Sequence, residues 1–449
     1  MQKLLAKLLV VTMIVCMFMT ILAGCGAGAK ETPEETTAAD KPASEATTAA
    51  TEAAGLKGDL SCLIWLPDAP EIIQKQADEF MKLNPDVKVD VQMMTGNGLV
   101  ENLQPKLASN SLPDFFSNNS DELGGIMADD GKIADIGDTK AFNNSYDSMQ
   151  AAWTSPKKGV KYGISGGIAT TLFYYNIGMF EKAGITDMPK DFDEFLAACE
   201  KLKTAGFVPL VWYGGFPNML SNGPFSYGLA NNLANKDADF AKKILEGSFN
   251  LNTPEVADIY ARIKLVADKG YVQKGYMSTD YTGGMTLFTD GNAAMIFQGN
   301  WASGTFMDNK KFETGVFLPP WNKKGEAIVP VIGSETGWSI AENDNKAISK
   351  AFLEYICGDG FAIYQNQRQN TPPFKQDVGK VVLNEKMKNF VVEINKAPIS
   401  SALAFQILPA STLDLSFKQM QEVLTNTKTP EQAAAELDKA VKDYVASKK

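Results

Sequence analysis

The stretch Met285-Thr-Leu-Phe-Thr-Asp-Gly-Asn-Ala-Ala-Met-Ile-Phe-Gln-Gly-Asn-Trp301-Ala-Ser-Gly304 reads as a helix end, a turn at Asp290-Gly291 and a short buried strand, Ala293 to Phe297. The strand breaks at Gly299, and Asn300 and Trp301 open the next segment. Amides and a large ring thereby stand at a strand's carboxyl end, where open α/β sheets bind ligands. This predicts a polar, uncharged ligand met by hydrogen bonds and a flat aromatic face. Burial of Trp301 in the core is the competing reading, because Trp is usually well buried.

Upstream, Asp59-Leu-Ser-Cys-Leu-Ile-Trp-Leu66 reads as a buried first strand stopped by Pro67-Asp68. Ala69 to Asn84 follows with Ile72, Ile73, Ala77, Phe80 and Met81 on one helical face. Val87–Met93 alternates like a second strand, a helix lies around Leu99–Ser109, and Pro113–Ser117 is a third strand. This β-α-β-α-β order implies a parallel sheet with right-handed crossovers. After Tyr162-Gly-Ile-Ser165 the rhythm restarts with a strand at Thr171–Asn176 and a helix capped by Asp191, with Glu194 as the reciprocal acid, and closed by Gly206. Val208–Tyr213 is the next strand, ending at Gly214-Gly215. Strand-like patterns return at Val316–Leu318, Ile328-Val329 and Gly337–Ala341, and helices dominate after Asn343. The last helix opens at Thr429-Pro-Glu-Gln432, a capping box with Pro at the first helical position.

At 449 residues the chain should form more than one lobe, given ~100–200 residues per domain. A formal charge of −10, with no basic stripe, argues against a nucleic-acid partner. Histidine is absent, which removes Ser-His-Asp and Cys-His catalysis and histidine-ligated metal together. Cys62, Cys199 and Cys357 lack metal spacing and read as buried thiols acting as small hydrophobes.

The N-terminus reads as an address. Lys3 and Lys7 precede an apolar run from Leu8 to Ala23, short for a membrane span. It ends in Leu22-Ala23-Gly24-Cys25, which resembles the lipobox of bacterial lipoproteins. The resemblance implies removal of residues 1–24 as a signal peptide and lipidation of Cys25. Two acyl chains on one residue suffice for stable anchoring. Residues 26–56 are Ala, Thr, Glu, Pro and Ser almost throughout, with no aromatic residue, so 25–57 is a disordered tether. The folded part would then work at the outer face of the bacterial cytoplasmic membrane.

Several stretches together resemble the extracellular solute-binding proteins of ABC importers, in the carbohydrate-directed family that includes maltose-binding protein. They are Tyr174-Tyr-Asn-Ile-Gly-Met-Phe-Glu-Lys-Ala-Gly-Ile185, Pro189-Lys-Asp-Phe-Asp-Glu-Phe195, Asp290 to Trp301, and Gly337-Trp-Ser-Ile-Ala341 followed by Ala351-Phe-Leu-Glu-Tyr355. The resemblance implies a periplasmic-binding-protein-like fold of type II: two Rossmann-like α/β lobes of discontinuous chain joined by a hinge. Lobe one would be 58–166 plus 318–350, and lobe two 167–317 plus 351–449. Hinge segments would lie near Ser165–Ala169, near Phe317–Pro320 and at the start of the helix after Asn343. A monomer would close its lobes around a sugar and present itself to the importer's permease subunits. That is binding without chemistry or cofactor.

Polar and aromatic residues at strand ends are the candidate ligand contacts. They are Trp65 and Asp68 after strand one, Asn118, Asn119 and Asp121 after strand three, and Trp212 and Tyr213 before two glycines. Asn300 and Trp301 end another strand, and Glu335 and Trp338 flank Gly337. A sugar presents C–H patches suited to aromatic faces and hydroxyls suited to carboxylates and amides. Trp65 is equally readable as strand core, and Asn118 and Asp121 as helix caps. The adjacent Tyr174-Tyr175 pair, a possible iron-ligand pattern, sits inside a strand and points to opposite faces. A polyamine receptor, a secreted glycoside hydrolase with two carboxylates across a cleft, and a receptor feeding a sensor kinase are the alternatives.

Overall fold

The computed structural model describes residues 55–95, 98–376, 382–395 and 397–448, all within one compact unit from Ala53 to Lys449. Cys25, the signal peptide and the tether up to residue 54 lie outside the described residues. Ten strands are described: β1 (Gly58–Ile64), β2 (Val87–Met93), β3 (Phe115–Asn118), β4 (Ile164–Ser165), β5 (Ile168–Asn176), β6 (Leu210–Val211), β7 (Met295–Gly299), β8 (Thr314–Phe317), β9 (Ile332–Ser334) and β10 (Gly337–Ile340). One sheet has the order β2-β1-β3-β10-β4; the other has β6-β7-β5-β8, with β9 also pairing β5.

β1 is parallel to both β2 and β3, as the βαβαβ pattern predicts. β10, arriving from the far end of the chain, runs antiparallel between β3 and β4. β1 is buried from Cys62 to Ile64, the continuous apolar run of a strand covered on both faces. In the second sheet β6 and β7 are parallel, while β7, β8 and β9 are each antiparallel to β5.

Local chemistry sets the helix ends. Asp191 accepts from the Glu194 N–H at 2.9 Å, and the Glu194 carboxylate reaches back to the Lys190 N–H at 2.9 Å instead of to the cap residue. Gly206 closes that helix at φ +86°, a left-handed position that favours glycine. Thr429 and Gln432 make both bonds of the capping box.

Each sheet has its own core, and the boundary differs from the expected one. The helices Lys346–Ile356 and Phe361–Arg368 pack Phe352, Leu353, Ile356 and Phe361 into the first sheet's core, not the second's. The anchors are a Phe80–Phe352 edge contact at 5.2 Å and the Gln76 amide donating to the Gly360 carbonyl at 2.9 Å. The core contribution of 318–350 is also divided. Trp321, Val329 and Val331 join the second sheet's core, whereas Trp338, Ile340 and Ile348 join the first's.

The chain passes from β4 to β5 through Gly166-Gly167, inside the expected Ser165–Ala169. It returns from β9 to β10 through Glu335-Thr336. These crossings lie side by side: the Gly166 N–H donates to the Thr336 carbonyl at 3.3 Å, and the Glu335 N–H to the Gly167 carbonyl at 3.0 Å. Phe317–Pro320 is not a crossing, because Phe317 ends β8 stacked on Phe173 at 5.1 Å in the second core.

Candidate ligand-binding site

Strand ends of both sheets open onto one cavity of about 470 Å³, within the ~300–1,000 Å³ usual for ligand pockets. Seven expected residues line it: Trp65, Asp68, Asn119, Asp121, Glu335 and Trp338 from the first sheet and the crossing, and Trp301 from the second. Each position follows from its strand. The Trp65 N–H donates to Ser117 Oγ at 2.9 Å, which holds the chain leaving β1 against β3. Trp338 sits opposite Ser117 in the register, its ring edge-on to Tyr364 at 5.3 Å. Asn119 accepts from Thr336 Oγ1 at 2.8 Å and so ties the end of β3 to the crossing.

Trp301 lies in the 3₁₀ turn Asn300–Ala302 that follows β7. Its ring covers Gly299 so closely that a Cβ there would overlap the indole. The indole Nε1 donates to the Tyr281 hydroxyl at 3.2 Å. Tyr281 opens the helix Tyr281–Thr289, whose cap Asp280 accepts from the Gly283 N–H at 2.7 Å. Trp301 is only partly buried, so it is neither wholly core nor free.

At the floor of the cavity Arg368 holds two carboxylates. Its Nε lies 3.0 Å from Asp68 Oδ2, and its Nη1 lies 2.7 Å from Glu335 Oε1. The same guanidinium donates to the Trp301 carbonyl at 3.1 Å and to the Tyr364 hydroxyl, so it touches both sheets. The side chains of Arg368 and Asp68 are 4% exposed and that of Glu335 is 5% exposed, which makes the floor dry and the pairing obligatory. Burial pushes the Glu335 carboxyl up to about 7 against the opposing pull of Arg368. Burial likewise pushes Asp121 up to about 6, although the Gly124 N–H stabilises its anion. Asp121 therefore caps the helix Glu122–Asp129 and lines the cavity at once.

Four expected contacts lie elsewhere. Asn118 points between strands and donates to Ser339 Oγ at 3.0 Å. Trp212 faces the second core, edge-on to Tyr276 at 6.5 Å. Tyr213, on the opposite face, takes the Gln298 amide at 3.2 Å and backs Tyr281, with ring centres 6.3 Å apart. Asn300 accepts from the Thr170 N–H and donates to the Ile168 carbonyl, both at 2.9 Å, so it clamps β5 and aims its neighbour Trp301.

Sequence reasoning missed Tyr281, Tyr364 and Arg368, and also Phe216, Phe405 and Phe417 on the cavity wall. The cap Asp280 could have marked Tyr281 as a helix start. Arg368 had a quieter signal, since only two of the 43 basic residues are arginine. Tyr174 and Tyr175 diverge: the first bonds Ser303 Oγ at 2.7 Å, while the second packs on Phe317. Among the described residues no group of three or more Cys, Asp or Glu is placed to hold a metal ion, and no helix is long and apolar enough to cross a membrane.

Several solved structures superpose on this fold. A chitin oligosaccharide binding protein superposes with a TM-score of 0.76 at 21% identity, over 87% of this chain and 99% of its own. The structure described as "SBP RafE in complex with raffinose" gives 0.72 at 19% identity, over 87% of this chain and 100% of its own. The fold is therefore of the type II periplasmic-binding-protein-like class. In sequence, the multiple sugar-binding protein of Streptococcus mutans is 24% identical over 298 residues, 63% of this chain and 67% of the relative. The sequence profile described as "Bacterial extracellular solute-binding protein" matches residues 75–388, well over half of the chain and including both crossings, β7, Glu335 and Arg368. By that span the chain belongs to the bacterial extracellular solute-binding protein family.

Proposed function

We propose that this protein captures a sugar or oligosaccharide in the cavity between its two sheets and delivers it to an ABC importer. One observation carries the reading. Aromatic faces (Trp65, Tyr281, Trp301, Trp338) and hydrogen-bonding groups (Asp68, Asn119, Asp121, Glu335) from both sheets line the same cavity. Indole faces cover C–H patches, and the acids and amide take hydroxyl protons. The names of the similar proteins, which speak of multiple sugars, chitin oligosaccharide and raffinose, support the same ligand class.

The lobes in this reading are 58–165 with 337–374, and 168–334 with 384–448. A ligand touching both stabilises the closed arrangement by the contacts it makes only there. Binding alone is the activity, with no cofactor. Lipidation at Cys25 and the tether would hold a monomer at the outer face of the membrane, within reach of the permease subunits. A polyamine fits the floor poorly, because the Arg368 guanidinium occupies the place an ammonium would take between Asp68 and Glu335.

A thermal-shift panel tests the proposal, since a ligand that binds only the folded state raises the melting temperature. Raffinose, xylotriose, galactotriose and chitotriose are run beside spermidine. A shift with at least one saccharide and none with spermidine is expected. The reverse pattern refutes the sugar reading.

A further inference from the structure

We infer that Arg368, locked between Asp68, Glu335 and the Trp301 carbonyl, makes this cavity select neutral saccharides and reject those carrying a carboxylate. The inference rests on the sugar reading and narrows it to a charge class.

Charge is unevenly distributed around the cavity. Five acids line it, Asp68, Glu101, Asp121, Glu335 and Asp414, against the single cation Arg368, and no lysine lines it among the described residues. A site built for an anionic sugar needs a cation whose N–H groups are free to fork onto the incoming carboxylate. Every Arg368 nitrogen already has a partner. Its Nε–H is shared between Asp68 at 3.0 Å and the Trp301 carbonyl at 3.1 Å, and Nη2 leans on Asp68 at 3.4 Å. Nη1 donates to the Tyr364 hydroxyl and stands 2.7 Å from Glu335 Oε1 as an ion pair. A ligand carboxylate would have to displace a buried acid that has no other cation to turn to.

The floor itself, two carboxylates on one guanidinium, keeps one uncompensated negative charge when both acids are ionised. A ligand carboxylate placed about 5 Å away, at an effective dielectric near 20, is disfavoured roughly a hundredfold. A neutral ring meets no such barrier, because its hydroxyls donate to those same oxygens. Glu101 and Asp414 extend the same sign along the cavity wall. Their proximity is felt by Asp414, which burial first and Glu101 second push above the ordinary carboxylate range.

The test uses pairs that differ in charge but not in ring size or length, at pH 8, above the raised Glu335 value of about 7. Galactotriose is titrated against trigalacturonate, and cellotriose against its C6-oxidised counterpart, by calorimetry and thermal shift. Neutral members should bind at least tenfold more tightly. In Glu335→Gln one negative charge is gone at nearly unchanged side-chain volume, so the neutral-to-acidic ratio should narrow about tenfold or more. Urea unfolding confirms that the variant is folded. An acidic trisaccharide binding as tightly as its neutral partner, or a ratio unchanged in Glu335→Gln, overturns the inference and leaves the sugar reading standing. Binding of spermidine with no saccharide bound overturns the sugar reading itself, and this inference with it.

Discussion

Replacing Arg368 by Met keeps much of the side-chain volume and deletes the guanidinium. Asp68 and Glu335, 4% and 5% exposed, would then lie beside each other with no cation. Removing one partner of a buried ion pair costs about 3–5 kcal/mol, because the remaining charge is stranded. The pH dependence has a definite sign. Burial already raises Glu335 from 4.5 to about 7 in the folded protein. A carboxyl raised in this way contributes stability that is complete below its unfolded value, near 4.5, and is lost as pH rises through the folded value. Loss of Arg368 raises Glu335 further, so protonation relieves the variant more at low pH than at high pH. Urea unfolding should therefore show Arg368→Met less stable than the parent by about 3–5 kcal/mol at pH 8 and by at least about 1 kcal/mol less than that at pH 5. Adding Glu335→Gln should restore about 1–3 kcal/mol at pH 8 by removing the stranded charge. A deficit below about 1 kcal/mol at pH 8, or one equal at both pH values, refutes this account of the floor.

Two tryptophans expected to behave alike should separate. Trp301→Ala should raise the dissociation constant of the best saccharide from the thermal-shift panel about thirtyfold or more while urea unfolding stays cooperative; Trp212→Ala should cost about 3–5 kcal/mol of stability as a core truncation. Unfolding of Trp301→Ala with affinity retained in the folded fraction would instead place that ring in the core. Affinity for a neutral saccharide should fall as pH drops from 8 to 5, because Asp121, raised to about 6, and Glu335, raised to about 7, then lose acceptor oxygens. Calorimetry showing a constant affinity over that interval would remove both acids from the contact set.

Much of the fold was legible because its signals are local. β2 alternates as Val87–Met93 and was placed to the residue, and the Thr429 capping box and the Gly206 stop work as written. β6 shrank from the expected Val208–Tyr213 to Leu210–Val211, since an apolar run does not say how many of its residues find a ladder partner. The crossing at Glu335-Thr336 was hidden for a related reason: nothing in Phe317–Pro320 distinguishes the end of a strand from a passage between sheets. The site divides in the same way. Strand-end position picked out seven residues that line the cavity, Trp65, Asp68, Asn119, Asp121, Trp301, Glu335 and Trp338. It could not tell which face Trp212 and Tyr213 take, because a one-residue shift exchanges them. Nor could it find Arg368, whose partners Asp68 and Trp301 are 300 and 67 residues away in the chain.

The two crossings are hydrogen-bonded to each other, and the Ile168 N–H just past the first also donates to the Thr371 carbonyl at 2.8 Å, so these crossings form a stitched ribbon and not two independent strings. At Gly166 an added Cβ would stand 2.6 Å from the Tyr364 hydroxyl and 2.7 Å from the Thr336 carbonyl, which leaves no slack between ribbon and surroundings. A two-stranded ribbon flexes readily out of its own plane and strongly resists in-plane shear, because shear stretches every cross-strand bond at once. If the sheets move against each other as proposed, these bonds favour bending over shear at the ribbon. Glu335 belongs to the ribbon itself, so such a bend would take place beside the cavity floor. Groups on the ribbon would then travel least.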